Sequence, residues 1–359
     1  MADVESPTRP IVTEPFEIAG QRIAPGESRI VHIPVANTYT NTPVTLPVRV
    51  VRGKKPGPVM FVSAALHGDE IIGVEIIRRL LRLRELRERD ELCGTILAVP
   101  VVNVPAFLQQ SRYLPDRRDL NRSFPGSETG SLAARLANLF LKEVVGKSAY
   151  GIDLHTGAIH RPNLPQIRAD LSNPETLRLA HVFGVPLMLN STPTKGTLRE
   201  HTTKKGVPVL LYESSEALRF DEQCIRIGVQ GVMNVMAELG MVSRVSAEPS
   251  RTVASVVARS SAWVRSPASG ILRAQTKLGE LVRVGQVLGV VGEPFGELET
   301  PVVSGAEGIV IGRLKLPLVN EGDALFHVAR FEDPEAAAQA VRLLRAEISM
   351  WEVEEPPIV

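Results

Sequence analysis

Two short runs hold residues able to grip a metal ion. Ala65-Leu66-His67-Gly68-Asp69-Glu70 places a histidine and a carboxylate three residues apart at the end of an apolar stretch. In the turn that leaves a strand, such a pair can converge on one ion. Asp153-Leu154-His155-Thr156-Gly157 ends a second apolar stretch and offers a third donor. Zinc favours tetrahedral sites of histidine and carboxylate, and its catalytic sites use three protein ligands and leave a fourth position open. His67, Glu70 and His155 therefore read as the ligands of one zinc ion per chain. The plain competing reading is a pair of half-buried histidines satisfied by carboxylates. There is no His-Glu-x-x-His helix motif, so the site is not of that metalloprotease type. The other histidines compete poorly as ligands. His32 lies in a β-rich segment, His160 and His201 in loop sequence, His181 on a helix and His327 in a late β segment, each as a surface or packing residue.

The elements that must position these ligands are legible as apolar runs. Val59–Leu66 (VMFVSAAL) is apolar on both alternating faces. A strand covered on one side alternates with polar residues, so this one is expected to be buried on both faces. Similar runs recur at Thr95–Val102, Gly151–Leu154, Val185–Leu189 and Val207–Tyr212. Between them the spacing predicts a helix over Ile71–Arg89, one over Leu132–Val145 capped by Thr129 or Ser131, one opened by Asn173-Pro174-Glu175, and one over Gln223–Leu239. Strands alternating with helices predict an α/β fold: a mixed, mostly parallel sheet with helices on both faces. In such sheets ligands bind at the carboxyl ends of the strands, which is where both metal-binding runs emerge. The first of these helices carries Arg78, Arg79, Arg82, Arg84, Arg87 and Arg89, but interleaved acids make it a solvated face rather than a membrane-binding one.

Texture divides the chain further. Residues 1–50 read as a β-rich N-terminal segment that belongs with residues 51–247, the domain that carries both metal-binding runs. Glu248–Ala258 looks like a linker into a β domain over 248–330, followed by a C-terminal helix from Pro334 to Met350 and a tail, 331–359 together. The β domain contains a near-repeat. Ser269-Gly270-Ile271-Leu272 matches Glu307-Gly308-Ile309-Val310, and Val284-Gly285-Gln286-Val287-Leu288 matches Glu321-Gly322-Asp323-Ala324-Leu325 one residue out of step. Two related halves predict a small all-β barrel or flattened sandwich resembling a biotinyl or lipoyl domain. Such carriers modify a lysine on the hairpin between their halves, yet no lysine lies between Lys277 and Lys315, which argues against a carrier function. The chain of 359 residues is 44% hydrophobic and 23% charged, with net charge +1, which excludes the one-sided basic balance of a nucleic-acid binder. Cys93 and Cys224, far apart and lacking any signal-like leader upstream, read as free thiols in a cytoplasmic protein. No apolar stretch is long enough to span a membrane.

Three motifs in order, His67-Gly68-Asp69-Glu70, Asp119-Leu120-Asn121-Arg122 and Asp153-Leu154-His155-Thr156-Gly157, resemble the signature of the succinylglutamate desuccinylase/aspartoacylase family, relatives of the zinc carboxypeptidases. The resemblance spans about residues 45–330, with Asp69 standing where the family more often has Asn. It implies that His67, Glu70 and His155 bind zinc and that Glu213, closing the run Val207–Tyr212, is the catalytic base. It also implies that Asn121 and Arg122 bind a substrate carboxylate, Arg112 polarises the scissile carbonyl and Arg199 is a second carboxylate-binding arginine. Four arginines in the eleven residues from Arg112 to Arg122 would otherwise be a solvated loop. The implied activity is deacylation of a small N-acyl amino acid that carries a free carboxylate, with neither nucleic acid nor membrane as partner, and with homo-oligomerisation left open. Two rival functions stay open: a zinc carboxypeptidase acting on peptides, and a metal-binding or carrier-type protein without catalysis.

Overall fold

The computed structural model describes residues 15–243 and 255–354. The chain opens with a small hairpin, β1 (Phe16–Ile18) and β2 (Gln21–Ile23), then two long antiparallel strands, β3 (Ser28–Asn37) and β4 (Pro43–Arg52). Next come β5 (Lys55–Ala64), α1 (Ile72–Leu80), α2 (Arg84–Glu88), β6 (Cys93–Val99) and α3 (Val104–Leu108). A loop containing a 3-10 turn at Leu120–Arg122 leads to α4 (Leu132–Glu143), β7 (Tyr150–Gly157) and β8 (Asn163–Ala169). These are followed by α5 (Pro174–Phe183), β9 (Leu187–Asn190), α6 (Leu198–Lys204), β10 (Val209–Glu216) and α7 (Glu222–Glu238). Eight strands then precede the last helix: β11 (Val256–Arg265), β12 (Gly270–Ala274), β13 (Leu281–Val282), β14 (Val287–Gly292), β15 (Glu299–Val303), β16 (Gly308–Arg313), β17 (Leu318–Val319) and β18 (Ala324–Phe331). The helix, α8 (Pro334–Glu354), runs four residues beyond the expected Met350.

Twelve strands make one sheet in the order β13-β16-β18-β11-β9-β8-β10-β7-β5-β6-β4-β3. Parallel pairing is confined to β6-β5-β7-β10 and β8-β9-β11, so the sheet is mixed rather than mostly parallel. The reversal comes from β8, which runs antiparallel to β10. Its sequence, NLPQIRA, lacks a strand signature because Pro165 interrupts it and Asn163, Gln166 and Arg168 break the apolar run. At the centre the two-faced burial inferred for β5 holds. Met60, Val62 and Ala64 join a core shared with α1, α5 and α7, while Val59 and Phe61 join a second core under α4. Helices thus cover both faces, and side-chain caps start several of them: Ser131 for α4, Asn173 for α5 and Asp221 for α7.

The helix expected over Ile71–Arg89 is broken in two. Leu83 is extended and Arg89 is left-handed, with φ +54°. A straight helix of that length would run about 28 Å and carry its last turns past the core. The break folds Leu86 back into it, 3% exposed. The expected linker at Glu248–Ala258 lies mostly outside the described residues, and Val256–Ala258 already belong to β11. The near-repeat is structural. The segments β12-β13-β14 and β16-β17-β18 match, with Gly285 and Gly322 at equivalent turns, φ +80° and +85°. Their short strands are exchanged: β13 pairs with β16 and β17 with β12. Leu272, Leu288, Val291, Val310, Phe326 and Val328 fill the space between the two layers so formed. No described helix is long and apolar enough to cross a membrane.

Phe61, fully buried and edge-on to Phe140 at 6.0 Å, lies directly over Gly151. A Cβ added at Gly151 would sit 2.1 Å from its ring. Gly151→Ala should therefore lower the free energy of unfolding by ~1–3 kcal/mol through overpacking. Urea denaturation beside wild type measures this, and an unchanged midpoint would contradict the packing described.

Candidate metal and catalytic site

The site grows from the carboxyl ends of β5, β7 and β10. Ile152 and Leu154 of β7, and Leu210 and Tyr212 of β10, point into the core under α1, α5 and α7. By the period of two, Asp153, His155, Leu211 and Glu213 face the other way. Register places Glu213 beside His155 and Leu211 beside Asp153. His67 and Glu70 come from the turn after β5, which begins with Ala65 in the left-handed region at φ +49°. Gly68 between them has no alternative: a Cβ there would lie 2.1 Å from the Ala106 carbonyl carbon in the middle of α3.

His67, Glu70 and His155 form a buried cluster whose ligand atoms all lie within 4.8 Å of one another. Glu70 sits between the two imidazoles. Its Oε1 is 2.6 Å from Nδ1 of His67 and its Oε2 is 2.7 Å from Nδ1 of His155. The outer ring nitrogens are held by other carboxylates. His67 Nε2 is 3.1 Å from Asp119, and His155 Nε2 is 2.8 Å from Asp153, which also accepts a bond from Ser63 Oγ at 2.7 Å. Ligating histidines characteristically give their second nitrogen to a carboxylate, which orients the ring and raises its basicity. Two such imidazoles and a carboxylate, all aimed at one point, fit a zinc ion. Burial pushes the Glu70 carboxyl up, but the adjacent imidazoles outweigh it and hold the group well below the usual carboxylate range. Burial lowers His155, yet Asp153 and Glu70 raise it well above the ordinary value. Metal binding must displace such protons, so affinity should fall as pH falls.

All eight residues singled out in the sequence line one cavity of about 290 Å³: His67, Glu70, Arg112, Asn121, Arg122, His155, Arg199 and Glu213. Asp119 ties the loop to the His67, Glu70, His155 cluster. It takes the Arg112 guanidinium at 2.9 Å, touches His67, and accepts from the Asn121 backbone N–H at 2.8 Å. Asn121 Oδ1 accepts from Leu198 N at 3.0 Å, fixing the start of α6. Arg122 is exposed and donates to the Asn121 carbonyl at 2.7 Å. Arg199 donates to Ser191, and burial followed by the charge of Arg168 brings its pKa down to about 10.

Five further residues reach the cavity or its charges without having been anticipated as site residues. Asn163 and Arg168 of β8 hold Glu213: the Asn163 amide donates to Oε2, and Arg168 stands 3.4 Å from Oε1. Trp263 and His327, neighbours on β11 and β18, stack at 4.7 Å and form one wall, with the Arg161 guanidinium 5.9 Å over the indole. His327, expected as a surface or packing residue, is buried but lines the cavity. Burial and the charge of Arg168 push its pKa down to about 3, so it is neutral. His201, expected in a loop, lies on α6. The only sequence signal for the missed group was the polar spacing Asn163, Gln166, Arg168 inside a short apolar run.

Comparison with known proteins points the same way. The family model for the succinylglutamate desuccinylase/aspartoacylase catalytic domain matches residues 56–239. An N-alpha-acetyl-L-2,4-diaminobutyric acid deacetylase of Halomonas elongata is 27% identical over 300 residues, covering 80% of this chain and 86% of the relative. A succinylglutamate desuccinylase of Burkholderia cenocepacia is 35% identical over 108 residues, 27% of this chain and 30% of the relative. Among solved structures, a succinylglutamate desuccinylase/aspartoacylase from Rhodobacter sphaeroides superposes with TM-score 0.74 at 25% identity, over 86% of this chain and 95% of the other. The product-bound ectoine utilization protein EutE (DoeB) of Ruegeria pomeroyi shares the fold, with TM-score 0.75 at 21% identity, over 85% and 95%.

Asp153 supports the His67, Glu70, His155 cluster without belonging to it. Asp153→Asn should weaken metal binding roughly 10–100-fold, and His155→Ala should abolish stoichiometric binding. Titration against a chelator of known affinity measures both, and unchanged affinity in either variant would remove that residue from the site.

Proposed function

The chain belongs to the succinylglutamate desuccinylase/aspartoacylase family, and on that premise we propose that it is a zinc-dependent hydrolase cleaving the amide bond of a small N-acyl amino acid. The observation that carries this reading is the convergence on one cavity of the His67, Glu70, His155 cluster, an acid at Glu213 and five arginines. Zinc, when bound, supplies Lewis acidity and lowers the pKa of water from 15.7 to about 7. The chain's own residues do the rest. Glu213, beside His155 in register, takes the proton of the attacking water and returns it to the leaving amine. Arg112 stabilises the charge that develops on the carbonyl oxygen. Asn121 and Arg122 hold the substrate carboxylate, with Arg199 behind them, because a planar guanidinium pairs with carboxylate through two parallel bonds.

A peptide substrate fits less well. The cavity measures about 290 Å³ and is walled by the Trp263–His327 stack, which favours a small acyl amino acid over a chain. The cationic lining also sets this pocket against a positively charged substrate side chain: Arg112, Arg122, Arg161, Arg168 and Arg199 face Glu70, Asp153 and Glu213. We further take residues 51–247, with the β-rich 1–50, as the hydrolase unit, 248–330 as a barrel-sandwich-like β domain resembling a biotinyl or lipoyl module, and 331–359 as a helix and tail. The exchanged short strands and the shared core between two layers support that division.

Glu213→Gln keeps size and hydrogen bonding but cannot accept a proton. Metal content should be unchanged while kcat falls by ~10²–10⁴-fold. Near-normal kcat on N-acetyl-aspartate, N-succinyl-glutamate or N-acetyl-2,4-diaminobutyrate would place the base elsewhere. Arg122→Lys keeps the charge but loses the fork, so kcat/KM should fall by roughly 10–100-fold, ~1.4–2.8 kcal/mol of transition-state binding. Converting the substrate carboxylate to an amide should cost wild type a similar factor and the variant little more. Equal hydrolysis of acid and amide by wild type would show that Arg122 reads no carboxylate.

A further inference from the structure

The last third of the chain reaches Glu213 by way of Asn163 of β8, which pairs with Gly312 and donates to the Glu213 carboxylate. The loop from Ala158 to Pro162 joins β7, which bears His155, to β8, and Asn163 is the first residue of β8. This connection is tied down by β16 and the residues just after it. Arg313 N donates to the Pro162 carbonyl at 3.3 Å, Lys315 N donates to the His160 carbonyl at 2.8 Å, and Lys315 Nζ pairs with Glu216 at 2.9 Å. Asn163 is 7% exposed and stands opposite Ser215 of β10 and Gly312 of β16. Between Glu213 and Ser215 the register of β10 slips, and Ser215 is left-handed at φ +56°. A bulge of this kind re-aims the side chains beside it, so the backbone alone does not hold the Glu213 carboxylate in place.

Two opposed contacts do. Asn163 Nδ2 donates to Oε2, while Arg168 attracts Oε1 from 3.4 Å. Guanidinium binds carboxylate best through both oxygens. Without the amide, Arg168 would be free to take both oxygens of Glu213 in a two-point pair, turning the carboxylate from the orientation in which Asn163 holds Oε2. The amide depends on the missing side chain at Gly312: a Cβ there would lie 2.8 Å from Asn163 Oδ1, with the His327 Cβ 3.3 Å from it on another side, so it would press on the amide. We propose that Asn163, paired with Gly312 of the C-terminal β segment, is the positioning residue that fixes the orientation of the Glu213 carboxylate by keeping Oε2 out of a two-point pair with Arg168. The C-terminal β segment then takes part in orienting the base as well as walling the site. This rests on Glu213 being the base.

The test pairs structure with kinetics. In crystals of the zinc-loaded enzyme, Glu213 should bond Asn163 in wild type and turn onto Arg168 in Asn163→Ala. An unmoved Glu213 overturns the proposal, whatever the substrate. With the fastest-turned-over of N-acetyl-aspartate, N-succinyl-glutamate and N-acetyl-2,4-diaminobutyrate, Asn163→Ala should lose ~10–100-fold in kcat with KM and zinc content held. The isosteric Asn163→Asp, which cannot donate when ionised, should not rescue it. Gly312→Ala removes no functional group, yet it should cost about 10-fold alone and under about twofold on the Asn163→Ala background, since coupled sites are not additive. Multiplying costs, or wild-type kcat in Asn163→Ala, would overturn the proposal. Glu213→Gln is the separating control: if it stays active, the assignment of the base fails, while the crystallographic outcome still judges the positioning.

Discussion

A carboxylate cannot be buried alone, and the site is organised around that constraint. Glu70 is 2% exposed and finds its neutralising charge in two imidazoles, one from its own turn and one from a neighbouring strand. Those imidazoles are buried too, so each needs a partner for its second nitrogen, and Asp119 and Asp153 supply it. Asp119 then requires Arg112, and Asp153 requires Ser63. On the Asp119 side the demand spreads outward to the part-exposed Arg112, and on the Asp153 side it ends at the buried Ser63 hydroxyl. A divalent ion at the centre would convert this mutual compensation into ligation, with every donor already aimed.

The sheet makes such a chain of partners geometrically feasible. Three parallel strands end together, so side chains far apart in sequence emerge on one edge at the strand spacing of about 4.8 Å. The face that carries Asp153, His155, Leu211 and Glu213 is the one away from α1, α5 and α7. The antiparallel β8 adds what parallel strands cannot. Running the opposite way, it brings its first residue, Asn163, to the same edge and sets Arg168 against Glu213. The departure from a mostly parallel sheet thus falls beside Glu213.

The C-terminal β segment looks, by its repeat, like a self-contained module, with its own apolar filling. It is nonetheless continuous with the catalytic sheet, because β11 pairs with β9 and β16 meets β8. Trp263 and His327 turn that continuity into a wall of the cavity. Neutral His327 and the flat indole stand among arginines, so the pocket offers one weakly polar, shape-selective side beside strongly cationic ones.

Sequence alone determined what depends on near neighbours. His67 and Glu70 share one turn, His155 closes an apolar run, Asn173 opens the helix that follows it, a cap at Thr129 or Ser131 is narrowed by the structure to Ser131, and Gly285 and Gly322 mark equivalent turns of a repeat. These signals survive without a fold because turn geometry, capping and strand period act over a few residues. Arg112, Asn121, Arg122, Arg199 and Glu213 were legible by family resemblance, and the fold gathers them at one cavity. Only the tertiary structure decided who stands beside Glu213, that His327 and Trp263 reach the cavity, and that the helix after Glu70 breaks at Leu83. Each of these follows from strand order and from how much core remains to be covered. Asn163 and Gly312 meet across 149 residues of chain because β8 and β16 lie side by side, and no local period records that adjacency.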